Sequence, residues 1–136
     1  MLNGVILSKL QTMDEILNEL RSLKDVKISQ LEENWLIRRA IERDLQVLSE
    51  IVIDVCQRLI AMADQSPATT GVEAVQRCVK MGALASMEPY RKMIQFRNFI
   101  LHRYEQVDLA ILVDIVNNRL DDFGLFRKEV MDYGSS

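Results

Sequence analysis

Apolar side chains recur along this chain at the spacing of a helix. Ile6, Leu10, Met13, Leu17 and Leu20 alternate steps of four and three, so they form one stripe of a predicted first amphipathic helix. The polar stretch "SLKDVKI" follows as a connector. Ser29 and Glu32 then stand at capping-box spacing, in which each side chain covers an orphan backbone N–H of the first turn, and they predict the start of a second helix. Leu31, Trp35, Ile41, Leu45, Leu48, Val52, Val55, Leu59 and Met62 carry its stripe to "DQSP", where the proline ends it. At roughly 1.5 Å per residue such a helix runs about 50 Å. That is more than a domain of this size needs, so the helix is expected to project or bend.

Thr70 and Glu73 repeat the capping-box spacing and open a third helix, "GVEAVQRCVKMGAL", with Gly82 near its end. Pro89 sits where a first-turn proline is tolerated, which makes "EPYRKMIQFRNFIL" a fourth helix. "YEQVD" is a plausible break, and the last helix is expected to bend or break near Gly124. No repeat, linker or low-complexity segment divides residues 1–136, so a single domain is expected. The fold class is all-α: an antiparallel, up-and-down bundle of four to five helices with one long helix.

Composition agrees with that pattern. Five Gly and two Pro among 136 residues, with seven Met, favour helix over sheet. At this length roughly two-thirds of the surface of the unfolded chain is expected to be buried. Cys56 and Cys78 are too few and too far apart for a zinc knuckle or a secreted disulfide scaffold, and read as small buried hydrophobes. The apolar run within "MLNGVILSKLQTMDEIL" is interrupted by polar groups before it could span a bilayer or serve as a signal segment. A cytoplasmic protein without a membrane partner is expected.

The formal net charge of −3 hides an asymmetry. Residues 1–76 are net −4, residues 77–103 are net +5, and residues 104–136 are net −4. The basic block holds Arg77, Lys80, Arg91, Lys92, Arg97 and Arg103, with Glu88 as its only acid. It is either one solvated helix face or a surface for phosphates.

Within that block, "FRNFILHRY" (Phe96 to Tyr104) places the chain's one histidine among two arginines, an asparagine and a tyrosine. Arg97 and Tyr104, seven residues apart, share a face of a continuous helix, whereas His102 stands about 140° round from Arg97. Arg97 and His102 therefore meet only if the helix unwinds after Leu101, or if two copies of the motif face each other across a two-fold axis. An imidazole gives and takes protons near neutral pH, and a guanidinium fits phosphate oxygens and stabilises charge developing on them. Together they suit attack of a ribose 2′-OH on the adjacent phosphate. The histidine has no dense Asp, Glu or Cys cluster beside it, so neither a metal nor a cofactor is expected. A histidine that only packs the helix end is the competing reading.

"RNFILHRY" resembles the signature of the HepT toxins of the HEPN superfamily: Arg, a polar residue, three more, His, any residue, Tyr. "MIQFRNFILHRYEQVD" and "RRAIERDLQVLSEIVIDVCQRLIA" extend the likeness over roughly residues 35–110. The resemblance implies a dimeric, metal-independent endoribonuclease toxin of a type VII-like toxin–antitoxin pair. Arg97 would hold the scissile phosphate, His102 would be the acid-base group, and Asn98 would support them. Arg77, Lys80, Arg91, Lys92 and Arg103 are the RNA-binding candidates. The implied partner is an MntA-like minimal nucleotidyltransferase that silences the toxin by attaching AMP to Tyr104. Two alternatives stay open: a non-catalytic HEPN module that holds a nucleotide or substrate for such a partner, and a structural helical dimer.

Overall fold

The computed structural model describes residues 2–102 and 108–135, with the side chains of 99–102 outside the description. All regular structure among the described residues is helical, as the periodicity predicts: α1 Gly4–Arg21, α2 Ile28–Glu33, α3 Trp35–Met62, α4 Gly71–Lys80, α5 Glu88–His102, α6 Leu109–Asn118 and α7 Leu120–Ser135. The α1 stripe is buried as expected, at Ile6, Leu10, Met13, Leu17 and Leu20.

The 28-residue α3, about 42 Å long, packs against α1, α2, α4, α5 and α7. Its buried set includes Ile41, Leu45, Leu48, Val52, Val55 and Leu59, the positions the stripe predicts. Lys9 pairs with Asp54 at 2.7 Å near one end of α1, and Glu19 faces Asp44 near the other, so α1 and α3 run antiparallel. α7 lies antiparallel along α1, with Asp14–Arg127 at 2.8 Å and Arg21–Asp121 at 3.1 Å. Phe123, Phe126 and Val130 of α7 join the same core as Tyr90, Met93 and Ile94 of α5.

Three boundaries differ from the expectation. The long second helix is two helices, because the Asn34 side chain accepts from Ile37 N at 3.2 Å and restarts the helix as an N-cap. Trp35 thereby falls in the first turn of α3, where it is 67% exposed, and Met62 at the far end is also exposed. The Ser29/Glu32 capping box does not form; α2 starts one residue earlier, and Gln30 Oε1 accepts from Lys27 N at 2.8 Å. At the chain's end the break lies at Arg119 and Gly124 stays inside α7. Asn117 and Asn118, two weak helix formers in succession, close α6, and Asp121 and Asp122 favour the N-terminus of α7.

The loops are fastened by amide side chains. Gln57 of α3 takes both backbone groups of Ala68, at 2.8 and 2.9 Å, and Asn117 of α6 does the same for Val26, at 2.8 and 3.0 Å. Thr70 caps α4 by accepting from Glu73 N at 3.0 Å, as predicted, while Glu73 reaches back to Thr69. Gly82, at φ +87°, ends the α4 segment in a conformation that other residues rarely adopt.

The facing carboxylates of Glu19 and Asp44 make the α1–α3 contact sensitive to pH. Burial, then the charge of Glu19 and a hydrogen bond with it, raise the Asp44 carboxyl to about 6. A raised acid stabilises the fold while it is protonated. This contribution is present below the ordinary carboxylate range and is lost as pH rises through about 6. Asp44→Asn is therefore expected to stabilise the protein at pH 7.5 by about 1 kcal/mol after solvent screening, with little gain at pH 4. Thermal melts at the two pH values measure the difference, and an equal shift at both would show that the pair is not the cause.

Candidate active site

α5 opens with Glu88 and Pro89 in its first turn and packs on α3, α4 and α7. Its core-facing side is built by Tyr90, Met93 and Ile94, all buried. The Tyr90 hydroxyl donates to one carboxylate oxygen of Glu129 on α7, and the other oxygen accepts from Ala85 N at 2.8 Å. The Tyr90 ring meets Phe126 edge-on, with centroids 5.7 Å apart at 82°. Burial, the hydrogen bond to Glu129 and its charge push the Tyr90 phenol far above its ordinary value, so it stays a donor. These contacts set the rotation of α5 about its axis and its height on α7. Neither Tyr90 nor Glu129 stands out in the sequence; the usable signal is that Tyr90 lies two turns before Arg97 on the same face.

Arg97 is therefore on the core-facing side of α5, near its C-terminal end. It is half-buried, and its Nε is buried with no hydrogen-bond partner. Its Nη1 donates to Asn98 Oδ1 over 3.4 Å, a long contact. No carboxylate among the described residues forms an ion pair with it. A partly desolvated guanidinium is favoured by an anion beside it, and none of the described residues supplies one.

α5 stays helical through His102, so it does not unwind directly after Leu101. Positions 97 and 102 stand about 140° apart around the axis. The His102 side chain, Arg103 and Tyr104 lie outside the described residues.

The basic block disperses over the surface. Arg77 is committed within the chain, donating to Ser66 O at 2.7 Å and lying 3.8 Å from Glu73. Arg91 and Lys92 are exposed and only loosely paired, with Glu88 at 3.8 Å and Asp114 at 3.9 Å. Lys80 is exposed at the end of α4. Cys56 and Cys78 are free, buried thiols in the core. The hydrogen bond with Cys78 and burial push the Cys56 thiol up, which keeps it unreactive. Among the described residues no three His, Cys, Asp or Glu side chains gather as metal ligands would, and no helix is long and apolar enough to cross a membrane.

A family model described as ribonuclease HepT-like matches residues 13–130. The mRNA nuclease HepT of Shewanella oneidensis is 20% identical over 127 residues, which cover 92% of this chain and 95% of that protein. Among solved structures, the tri-AMPylated HEPN toxin of Shewanella oneidensis in complex with MNT antitoxin is similar with a TM-score of 0.83 at 17% identity, covering 96% of this chain and 99% of that one. A toxin–antitoxin complex with AMP-PNP matches with a TM-score of 0.84 at 18% identity and the same coverage.

The Arg97 charge makes a prediction about stability. Arg97→Met keeps the length of the side chain and removes a half-buried charge that no carboxylate among the described residues pairs, so it is expected to raise the unfolding free energy by about 1 kcal/mol. Denaturant titration measures it. A loss of stability of that size would mean that the guanidinium serves the fold.

Proposed function

Because this chain belongs to the ribonuclease HepT-like family, we propose that it is a metal-independent endoribonuclease toxin whose site is formed by Arg97 and His102 in a two-fold dimer. The observation that carries this reading is the half-buried Arg97 guanidinium, which no carboxylate among the described residues pairs and which a phosphate of RNA would complement. Its planar fork of donors suits the equatorial oxygens of a phosphate under attack.

In the step proposed, the ribose 2′-oxygen attacks the adjacent phosphorus. The O2′–P bond forms as the P–O5′ bond breaks, leaving a 2′,3′-cyclic phosphate and a 5′-hydroxyl. One imidazole takes the proton of the 2′-hydroxyl and one gives a proton to the leaving O5′, so no net proton is lost. Arg97 neutralises the charge that builds on the phosphorane oxygens, and Asn98 supports Arg97. Two copies supply the two imidazoles. The same pairing brings Arg97 of one copy to His102 of the other, which a regular α5 prevents within one chain. Lys80, Arg91, Lys92 and Arg103 would guide the RNA backbone, with Arg77 retained by its own loop.

One solved structure similar to this chain pairs a tri-AMPylated HEPN toxin with an MNT antitoxin, and another is a toxin–antitoxin complex with AMP-PNP. By that likeness, an MntA-like nucleotidyltransferase is the proposed partner in the cytoplasm, and Tyr104 the residue it modifies. Tyr104 lies seven residues after Arg97, on the same side if α5 were continued. AMP there would bring bulk and negative charge to a site shaped for a phosphate.

Arg97→Ala and His102→Ala are each expected to lower RNA cleavage by about 10²-fold or more, with helicity unchanged, and EDTA is expected to have no effect. Mixing the two inactive variants should restore little cleavage, because each mixed dimer keeps only one of the two imidazoles that the step uses. Loss of cleavage in EDTA that magnesium restores would refute the metal-free mechanism. Recovery of about a quarter of the activity in the mixture would refute the two-imidazole step, and a monomer by light scattering would refute the shared site. Intact RNA after incubation with the wild type would leave a nucleotide-binding module as the reading.

Incubation with the cognate nucleotidyltransferase and ATP is expected to add AMP to Tyr104 and to end RNA cleavage. Tyr104→Phe should escape modification. Mass spectrometry of both proteins decides it, and AMP found on another residue of the wild type would remove Tyr104 as the switch.

A further inference from the structure

Between α5 and α6 lies an open groove of about 350 Å³ whose lining divides into an apolar floor and a polar rim. Phe96 and Ile115, both buried, and Ile111, which is 39% exposed, make the floor. Lys92, Gln95 and Asp114 make the rim. The Gln95 amide forms no hydrogen bond with another described residue. Asp114 Oδ1 accepts from Asn118 at 2.9 Å, and among the described residues Oδ2 has ion-pair neighbours, Arg119 at 3.8 Å and Lys92 at 3.9 Å, but no hydrogen bond. The groove thus offers an apolar surface edged by a carboxylate oxygen without a described hydrogen bond, an amide in the same state and a loosely held cation.

That combination selects among occupants. An acyl chain or an apolar side chain would use the floor and leave the rim idle, and a bare phosphate would use only Lys92. A nucleobase uses both, since its faces are apolar and its edge carries donors and acceptors. The volume lies at the lower end of the range for small-molecule sites, roughly 300 to 1,000 Å³, and admits a base with its ribose.

Helix phase connects the groove with the chemistry. Lys92, Gln95 and Phe96 follow one face of α5 at i, i+3 and i+4. Position 102 is seven residues beyond Gln95, so it falls on the same face about 10 Å further along. A nucleotide seated in the groove would have its backbone directed towards the acid-base position.

We infer that the α5–α6 groove is a nucleobase subsite of the RNA substrate, in which Asp114 accepts from an exocyclic amine and Gln95 bonds the neighbouring ring edge. It rests on the ribonuclease reading and adds a base preference to it: adenine, cytosine or guanine is taken in preference to uracil, which has no exocyclic amine.

The test uses full-length protein and a set of short oligoribonucleotides that differ only in the base on either side of the cleaved linkage, together with 2′-deoxy versions that cannot be cleaved. Amine-bearing bases at one of these positions are expected to raise kcat/KM, and to tighten binding of the deoxy versions, by about tenfold over uracil. Asp114→Asn and Gln95→Ala should each reduce that preference towards unity; Gln95 is exposed and has no described hydrogen bond, so its variant tests the point even if Asp114→Asn fails to fold. Ile111→Arg should weaken binding and leave the oligomeric state unchanged. Cleavage without base preference, or a preference that both rim variants retain, would overturn the subsite while the ribonuclease reading stands. Base-selective binding of the deoxy set without any RNA cleavage would keep the subsite and overturn the ribonuclease reading. Dissociation of the Ile111→Arg protein into monomers would assign the groove to contact between copies and overturn the subsite.

Discussion

Burial of the apolar stripe on α3 is the interaction on which every other placement depends. Six of its buried side chains, from Ile41 to Leu59, recur at three- and four-residue steps. They present one continuous surface to α1 on one side and to α4, α5 and α7 on others. A helix this long pays little for its own nucleation relative to what its packing contributes. The shorter helices are held because they cover it. α5 is among them, and its position on α3 and α7 is what brings a charged end of that helix to the margin of the core.

The rotation of α5 then decides which of its residues face inwards. Tyr90 is fixed by Glu129, Ala85 and Phe126, and each later residue follows at about 100° per step. Arg97 is carried to the core-facing side, half out of water and without a carboxylate among the described residues, while position 102 is carried round to the side of the α5–α6 groove. One helix thus presents a desolvated cation on one side and its acid-base position on another. A second copy of the chain reconciles them more simply than a distortion of α5, which remains regular through His102.

The acidic balance of the whole chain is not at odds with a polyanionic substrate. Three of the acids are engaged locally: Glu73 with Thr69 and Arg77, Glu129 with Tyr90 and Ala85, Asp54 with Lys9 and Arg58. Local pairing of this kind leaves exposed cations such as Lys80, Arg91 and Lys92 to dominate the field near them, since screening confines each charge to about 10 Å.

Much of this was legible in the sequence, for a definite reason. Helical periodicity and local capping depend on residues within four positions of one another, so the α1 stripe, most of the α3 stripe, the Thr70 cap and the start of α5 could be read from residue spacing alone. The motif could also be read, because Arg97, Asn98, His102 and Tyr104 lie within eight consecutive residues. The break at Asn34 is masked in the sequence by the apolar pattern that continues on both sides of one asparagine, and the break at Arg119 by Gly124, which by residue type is the stronger helix breaker than the Asn117–Asn118 pair. Tertiary structure alone decided the rest. That Glu129 would meet Tyr90, that Glu19 would face Asp44, and that Gln95 and Asp114 would border one groove are all contacts between residues distant in the chain. They depend on how helices are rotated against one another, and no local spacing specifies that rotation.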